Sequence, residues 1–70
     1  MKTKIEYHQY ISDDYTRKGV VFRYKNDQAW YVDLLENGVS IEIRKMITDG
    51  YLHSEQYAED CAENWVLKIF

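Results

Sequence analysis

The stretch Trp30–Ile43, WYVDLLENGVSIEI, decides the fold of this chain. At its centre, Asn37-Gly38 supplies the two positive-φ residues of a type I′ hairpin turn. This turn pairs Glu36 with Val39 across two antiparallel strands. Continuing the same register brings the apolar residues of both strands to one face, as the pairs Leu34–Ile41 and Val32–Ile43. Turn chemistry and hydrophobic pattern therefore predict the same hairpin.

Alternating apolar and polar residues before this hairpin predict further strands. The first predicted strand covers Thr3–Ile11 and the second covers Val20–Lys25, with a polar loop at Ser12–Gly19 between them. The third covers Ala29–Leu35 and leads into the Asn-Gly turn. Because short turns or loops join all four strands, the sequence predicts an antiparallel four-stranded meander.

The last part of the chain predicts one helix and a final strand. Ser54 is a favourable N-cap, and apolar residues recur at helical spacing from there to Asn64. The alternation in Trp65–Phe70 predicts a short last strand. A lone antiparallel sheet leaves one apolar face open, so the helix is expected to cover it. The predicted fold is an α+β domain in the order β-β-β-β-α-β.

Composition narrows the class of protein. The chain has 70 residues, no proline and one cysteine, which suits a single globular domain over residues 1–70 without a disulfide framework. The lone Cys61 favours a reducing compartment. No segment has the pattern of a signal peptide or of a membrane span. We therefore expect a cytoplasmic protein that does not bind membranes.

The charge distribution gives the leading functional hypothesis. The net charge is −3, and basic residues concentrate in the first 25 positions. Four carboxylates share one face of the predicted helix, which contains no Lys or Arg: Glu55, Glu59, Asp60 and Glu63. Such an acidic stripe would suit docking on a basic surface of a larger protein. The alternative is a solvated face that only keeps the protein soluble.

A second hypothesis concerns the outer face of the predicted sheet. The expected registers place Arg23, Tyr31 and Arg44 in one cross-strand row. A tyrosine between two guanidinium groups can stack a nucleic-acid base. The same row could instead have a purely structural role, in which the arginines stabilise the sheet through cation–π contacts with the tyrosine. The negative net charge also disfavours the binding of nucleic acid. Weak single-stranded nucleic-acid binding is therefore the alternative to protein binding.

Residues that could carry chemistry are few and scattered. His8, His53 and Cys61 show no metal-ligand spacing, and neither a phosphate-binding loop nor a nucleophile motif occurs. We therefore expect no enzyme activity, no cofactor and no metal site. The loop Ser12–Gly19 is long for so small a chain, and its Tyr15 has the character of an interface anchor. The alternative is that the loop is ordinary protein surface with no binding role.

These observations predict a non-catalytic protein-interaction domain, with Tyr15 and the acidic helix as its binding residues. In style, the composition resembles the small acidic inhibitors or adaptors of phages and mobile elements, although no motif supports that likeness. A structural homodimer is the third alternative. It would pair through a free sheet edge or through exposed side chains of the sheet, namely Tyr10, Tyr31 and Val21.

Overall fold

A computed structural model describes residues 3–70 of the chain. Within this range the elements are β1 Lys4–Ile11, β2 Arg17–Tyr24, β3 Tyr31–Glu36, β4 Val39–Lys45, β5 Ile47–Thr48, β6 Tyr51–Leu52 and α1 Glu55–Val66. The first four strands form an antiparallel sheet in the order β1-β2-β3-β4, and β5 pairs with β6 in a separate hairpin. The predicted α+β fold, with its four-stranded meander and single helix, is confirmed. No helix in this range is long and apolar enough to cross a membrane.

The predicted C-terminal strand is not formed, because α1 continues through Trp65 to Val66. Lys68 then takes a positive φ of 61°. The amide of Lys68 bonds to the carbonyl of Trp65, and the amide of Ile69 bonds to that of Asn64. This pair of bonds is a Schellman motif, which ends a helix and uses the amides that a strand would have needed.

The Asn-Gly hairpin turn is confirmed. Asn37 and Gly38 have φ values of 52° and 82°, and Glu36 pairs with Val39 as predicted. Leu35 still pairs with Ser40 in this register, but Ile41 is then left without a partner in a β-bulge, so the register changes inside the hairpin. The register set by the turn therefore holds for the first two pairs only, because a bulge adds one residue to one strand without altering the turn.

The bulge changes which side chains of β4 face the helix. Val32 lies opposite Arg44, and Ile43 lies opposite Asp33. The predicted pairs Val32–Ile43 and Leu34–Ile41 were therefore wrong, since a shift of one residue exchanges the two faces of a strand. Ile41 and Ile43 are left 59% and 49% exposed, and Val39, which lies before the bulge and keeps its predicted partner, is 61% exposed.

The core lies between one face of the sheet and the helix. Its buried members are Val21, Val32, Leu34, Met46, Ala58, Ala62 and Trp65. Gly19 lets the helix approach closely, because a Cβ added there would lie only 2.9 Å from the Cβ of Ala62. The helix therefore rests on the backbone of β2, and this contact sets its position over the sheet.

Candidate functional site

The helix begins as the sequence predicts. Ser54 is the N-cap, and its hydroxyl accepts a hydrogen bond from the backbone amide of Tyr57. Glu55 lies in the first turn, where its negative charge favours the helix dipole. The burial of Ala58, Ala62 and Trp65 in the core fixes the rotation of α1 and therefore the directions of its carboxylates.

The four carboxylates of α1 divide into two pairs. Glu55 and Glu59 are partly buried, whereas Asp60 and Glu63 are exposed. The first pair contacts side chains of β1, and Asp60 accepts a hydrogen bond from Gln56 on the helix itself. The predicted stripe therefore does not form one uniform solvent-facing surface, because the helix turns its first pair toward the sheet.

His8 and Tyr10 on β1 are the partners of the inner pair. The Nε2 atom of His8 lies 2.8 Å from Oε2 of Glu55 and 3.9 Å from Oε1 of Glu59. The hydroxyl of Tyr10 donates a 3.1 Å hydrogen bond to Oε1 of Glu59. One ligand-type atom from each of His8, Glu55 and Glu59 lies within 4.8 Å of the others. We call these three residues the strand–helix cluster.

A second β-bulge creates this cluster. The register between β1 and β2 shifts at Tyr7, after which His8 pairs with Val21 and Tyr10 pairs with Gly19. Val21 belongs to the core and Gly19 lies under the helix, so His8 and Tyr10 also face α1. Unbroken alternation along β1 would place both on its outer side, where Tyr10 was expected to be exposed. That expectation was wrong, because the bulge at Tyr7 reverses the remaining alternation.

The surroundings of the cluster are electrostatically negative. Burial, together with the neighbouring carboxylates of Glu59, Glu63 and Asp60, raises the pKa of Tyr10 above its ordinary value. The phenol therefore stays protonated at neutral pH and remains a donor to Glu59. In the described part of the chain, the only basic group within salt-bridge distance of Glu55 or Glu59 is the imidazole of His8.

The predicted row of Arg23, Tyr31 and Arg44 is not formed. Tyr31 pairs with Phe22 on one side and with Lys45 on the other. Each predicted neighbour is thus displaced by one residue, and a displacement by one places a side chain on the opposite face. The tyrosine and the two arginines consequently lie on different faces of the sheet.

Both arginines are occupied by contacts within the chain. The guanidinium carbon of Arg23 lies 4.9 Å from the ring centroid of Trp30, and that of Arg44 lies 4.7 Å from the ring centroid of Phe70. Arg44 also donates a 2.9 Å hydrogen bond to Glu42. Both arginines therefore contribute to the structure through cation–π contacts with rings of the chain itself. They do not flank Tyr31 in a row on which a base could stack.

Tyr15 stands at the tip of a turn that is shorter than the predicted loop, because β2 already begins at Arg17. The carboxylate of Asp14 accepts hydrogen bonds from Ser12 and Thr16 and pairs with Lys68. The Lys68 ammonium, with the Thr16 and Ser12 hydrogen bonds, holds the pKa of Asp14 well below its usual range. On this fixed turn the side chain of Tyr15 is 82% exposed.

A groove of about 610 Å³ lies between α1 and β4, with Cys61 and Arg44 in its wall. Cys61 is partly buried and packs against the core. Burial raises the pKa of its thiol, which favours the unreactive protonated form. This cysteine therefore behaves mainly as a small apolar residue.

Sequence reasoning missed the strand–helix cluster. His8 and Glu55 are 47 positions apart, so no local spacing connects them. The available signals were the repeat Glu55–Glu59, one helical turn apart, and the histidine on the edge strand. Neither indicates the other until the bulge and the helix position are known.

Compared with known proteins, the chain matches no family model, no curated protein and no solved structure. Its function is therefore inferred from the charge and geometry of its own residues.

Proposed function

We propose that this chain is a non-catalytic, cytoplasmic protein-interaction domain that binds a basic surface of a larger protein through α1. The supporting observation is a contrast in how carboxylates are paired within residues 3–70. Outside the helix, many carboxylates form salt bridges with Lys or Arg, namely Glu6, Asp14, Asp33, Glu36 and Glu42. The four carboxylates of α1 form none with any Lys or Arg among the described residues.

Uncompensated charge on α1 has a cost in the free domain. Like charges four residues apart destabilise a helix by roughly 0.2–0.5 kcal/mol per pair. The last turn of α1 also has no basic residue to favour the helix dipole. A basic partner would relieve this repulsion. Because charge acts over a distance, complementary charge would mainly increase the association rate and select the partner.

Tyr15 is the proposed apolar anchor beside the acidic helix. The ion pair between Asp14 and Lys68 ties the Tyr15 turn to the C-terminal end of α1. Tyr15 and the exposed Glu63 therefore belong to the same end of the molecule. In protein interfaces a few buried aromatic anchors supply most of the affinity, while charges at the rim adjust the rate. A small inhibitor or adaptor would use this combination.

We expect the double variant Asp60→Lys/Glu63→Lys to associate with such a partner about tenfold more slowly at low salt, because it removes electrostatic steering. Both side chains are exposed, so its melting temperature should stay close to that of the wild type. Partners are first captured from host lysate on the wild-type protein and identified by mass spectrometry. Association rates are then measured against ionic strength.

The matched control is Glu6→Lys/Asp49→Lys, which makes the same change in net charge on exposed positions away from α1 and from the Tyr15 turn. It should slow association much less than the helix variant. Equal rates for all three proteins, or equal slowing by both variants, would contradict a specific role of the helix and leave it as a solubilising surface.

A second candidate function is a homodimer that pairs through β4. This strand lies at the edge of the sheet, and its apolar residues Val39, Ile41 and Ile43 are exposed. An edge of this kind is a template for pairing with another chain. The other predicted dimer contact, through Tyr10, Tyr31 and Val21, is not available, because Val21 is fully buried.

The charges of β4 also suit antiparallel pairing of two copies. If Ile43 lies opposite Ile43 on the two-fold axis, Glu42 of each copy lies opposite Arg44 of the other. Opposite charges facing each other across strands stabilise the pair, and the two-fold axis makes every such contact twice.

We expect Ile43→Lys to convert such a dimer to a monomer, because it places two like charges opposite each other at the axis. Sedimentation velocity over a range of concentrations measures the change. Ile5→Lys, on the opposite edge strand, is the control and should leave the dimer intact. A wild-type protein that sediments as a monomer at every accessible concentration would exclude this candidate.

A further inference from the structure

We propose that the strand–helix cluster of His8, Glu55 and Glu59 is a binding site for a divalent transition-metal ion, with Zn²⁺ as its representative. This inference shares one observation with the proposed protein partner, that Glu55 and Glu59 have no Lys or Arg partner within residues 3–70, but its test needs no protein partner. It concerns the pair of helix carboxylates that face β1, whereas the exposed pair is the one tested above by charge reversal.

The distances within the cluster are close to those of a metal site. Zinc lies about 2.0–2.1 Å from nitrogen and oxygen ligands, so tetrahedral geometry separates neighbouring ligand atoms by about 3.4 Å. The Nε2 atom of His8 is 2.8 Å from Glu55 and 3.9 Å from Glu59. The first separation must lengthen and the second shorten by about half an ångström. The two carboxylates, which lie within 4.8 Å of each other, must also come to this separation, and side-chain rotations supply such changes.

The donor set selects the class of ion. One imidazole nitrogen and two carboxylate oxygens suit Zn²⁺ and neighbouring first-row ions. Ca²⁺ requires six or more oxygen ligands, and Mg²⁺ prefers an octahedral shell of oxygens. Three protein ligands leave a fourth position open, to be filled by water. The cluster therefore predicts a site of moderate affinity that favours Zn²⁺ over Ca²⁺ and Mg²⁺.

Tyr10 supports one of the ligands from outside the cluster. Its hydroxyl donates to Oε1 of Glu59 at 3.1 Å, and this bond orients the carboxylate toward His8. Partners of this type fix the orientation of metal ligands, and their removal commonly lowers metal affinity by about 10–100-fold. Here the support is already present before an ion binds.

Charge also favours a dication at this position. Glu55 and Glu59 together contribute two negative charges, and Asp60 and Glu63 lie on the same helix. Within residues 3–70, no lysine or arginine lies within salt-bridge distance of Glu55 or Glu59. A divalent ion would balance the two carboxylates. It would also connect β1 to α1, so that binding should stabilise the fold.

The test uses Zn²⁺ alone as the probe, with the full chain. Isothermal titration calorimetry should give one saturable site per chain, and Zn²⁺ should raise the melting temperature. Co²⁺ should produce the visible absorption bands of a four-coordinate site. Ca²⁺ and Mg²⁺ at the same concentrations should show no saturable binding and should not raise the melting temperature.

Variants locate the site. His8→Gln and Glu59→Gln should each weaken Zn²⁺ binding by at least about tenfold, and Tyr10→Phe should weaken it by a similar or smaller factor. His53→Gln is the matched control, since His53 is the other histidine of the chain and hydrogen-bonds to Thr48 instead. It should bind Zn²⁺ like the wild type.

Two results would overturn the proposal. One is the absence of saturable one-to-one binding by the folded wild-type protein. The other is an equal loss of affinity in His53→Gln and His8→Gln, which would show unspecific binding to histidine. Circular dichroism of each variant without metal verifies that it is folded, so that a loss of binding reports on the cluster itself.

Discussion

Trp65→Ala is expected to lower the free energy of unfolding by about 3–5 kcal/mol, the usual cost of removing a large buried aromatic side chain. Trp65 belongs to the core and is only 8% exposed. Losses of this size are a large share of the total stability of a small domain. The substitution would also release the C-terminal end of α1 from the sheet.

The contacts of Trp65 explain why the loss should be large. Its indole Nε1 donates a 3.0 Å hydrogen bond to the carbonyl of Leu35. The guanidinium carbon of Arg17 lies 3.9 Å from the indole ring centroid. Arg17 also donates to the carbonyl of Trp65 and pairs with Glu36. The side chain thus connects α1 to β2 and to the end of β3.

Urea unfolding measures this difference. Trp65→Phe retains much of the ring packing but leaves the Leu35 carbonyl without the indole donor, and we expect it to cost about 1–3 kcal/mol. Leu67→Ala is the control, because Leu67 is exposed and should change stability by about 0.5 kcal/mol or less. If Trp65→Ala costs no more than Leu67→Ala, the end of α1 does not pack as described.

Local chemistry made the turns and the start of the helix predictable. A type I′ turn requires positive φ at two adjacent residues, and Asn37-Gly38 is one of the few pairs that tolerate it. Ser54 satisfies an unpaired amide at the start of the helix. Asp49-Gly50, another pair that tolerates positive φ, forms the tight connection between β5 and β6. Each of these signals acts within a few residues, so the sequence alone is sufficient.

The faces of the strands were not predictable in this way. A bulge at Tyr7 and another at Ile41 each reverse the alternation, and neither residue type marks a bulge. In β2, the run Val20-Val21-Phe22 is buried on both faces. Its pattern therefore cannot indicate which face the helix covers. Only the packing of the helix against Gly19 decides between the two faces.

The helix end was ambiguous for a related reason. Trp65 fits both the helical spacing of the buried alanines and the alternation of the residues that follow it. A glycine after the helix would have indicated its end, but the positive-φ position is occupied by Lys68. The cluster at His8 depends on all of these non-local features, and for that reason the sequence predicted no metal site.

Gly19→Val is the second large effect that we expect, with a loss of about 3 kcal/mol in the free energy of unfolding, at the upper end of typical overpacking costs. A Cβ at this position would lie 2.9 Å from the Cβ of Ala62 and 3.0 Å from its Cα and carbonyl oxygen. These atoms belong to the helix backbone or are fixed to it. No rotamer change relieves the contact, so α1 must move away from β2.

Urea unfolding again provides the measurement. Lys18→Val is the matched control on the same strand, because neighbouring residues of a strand point to opposite faces. It introduces the same side chain without touching α1 and should change stability by about 0.5 kcal/mol or less. Equal stability of the two variants would mean that the helix does not rest on Gly19.

Ala62→Gly completes a double-mutant cycle. By itself it costs about 1 kcal/mol, because glycine is a poor helix former. Combined with Gly19→Val it removes the atom nearest to the new Cβ and should recover part of the loss, whereas the contacts with the Cα and carbonyl oxygen of Ala62 remain. A coupling energy clearly different from zero would establish that these two residues set the height of α1 above the sheet. Additive changes in the free energy of unfolding would mean that other residues control the position of the helix.

The height of α1 determines whether Glu55 and Glu59 reach His8. Gly19→Val should therefore also weaken Zn²⁺ binding at the strand–helix cluster.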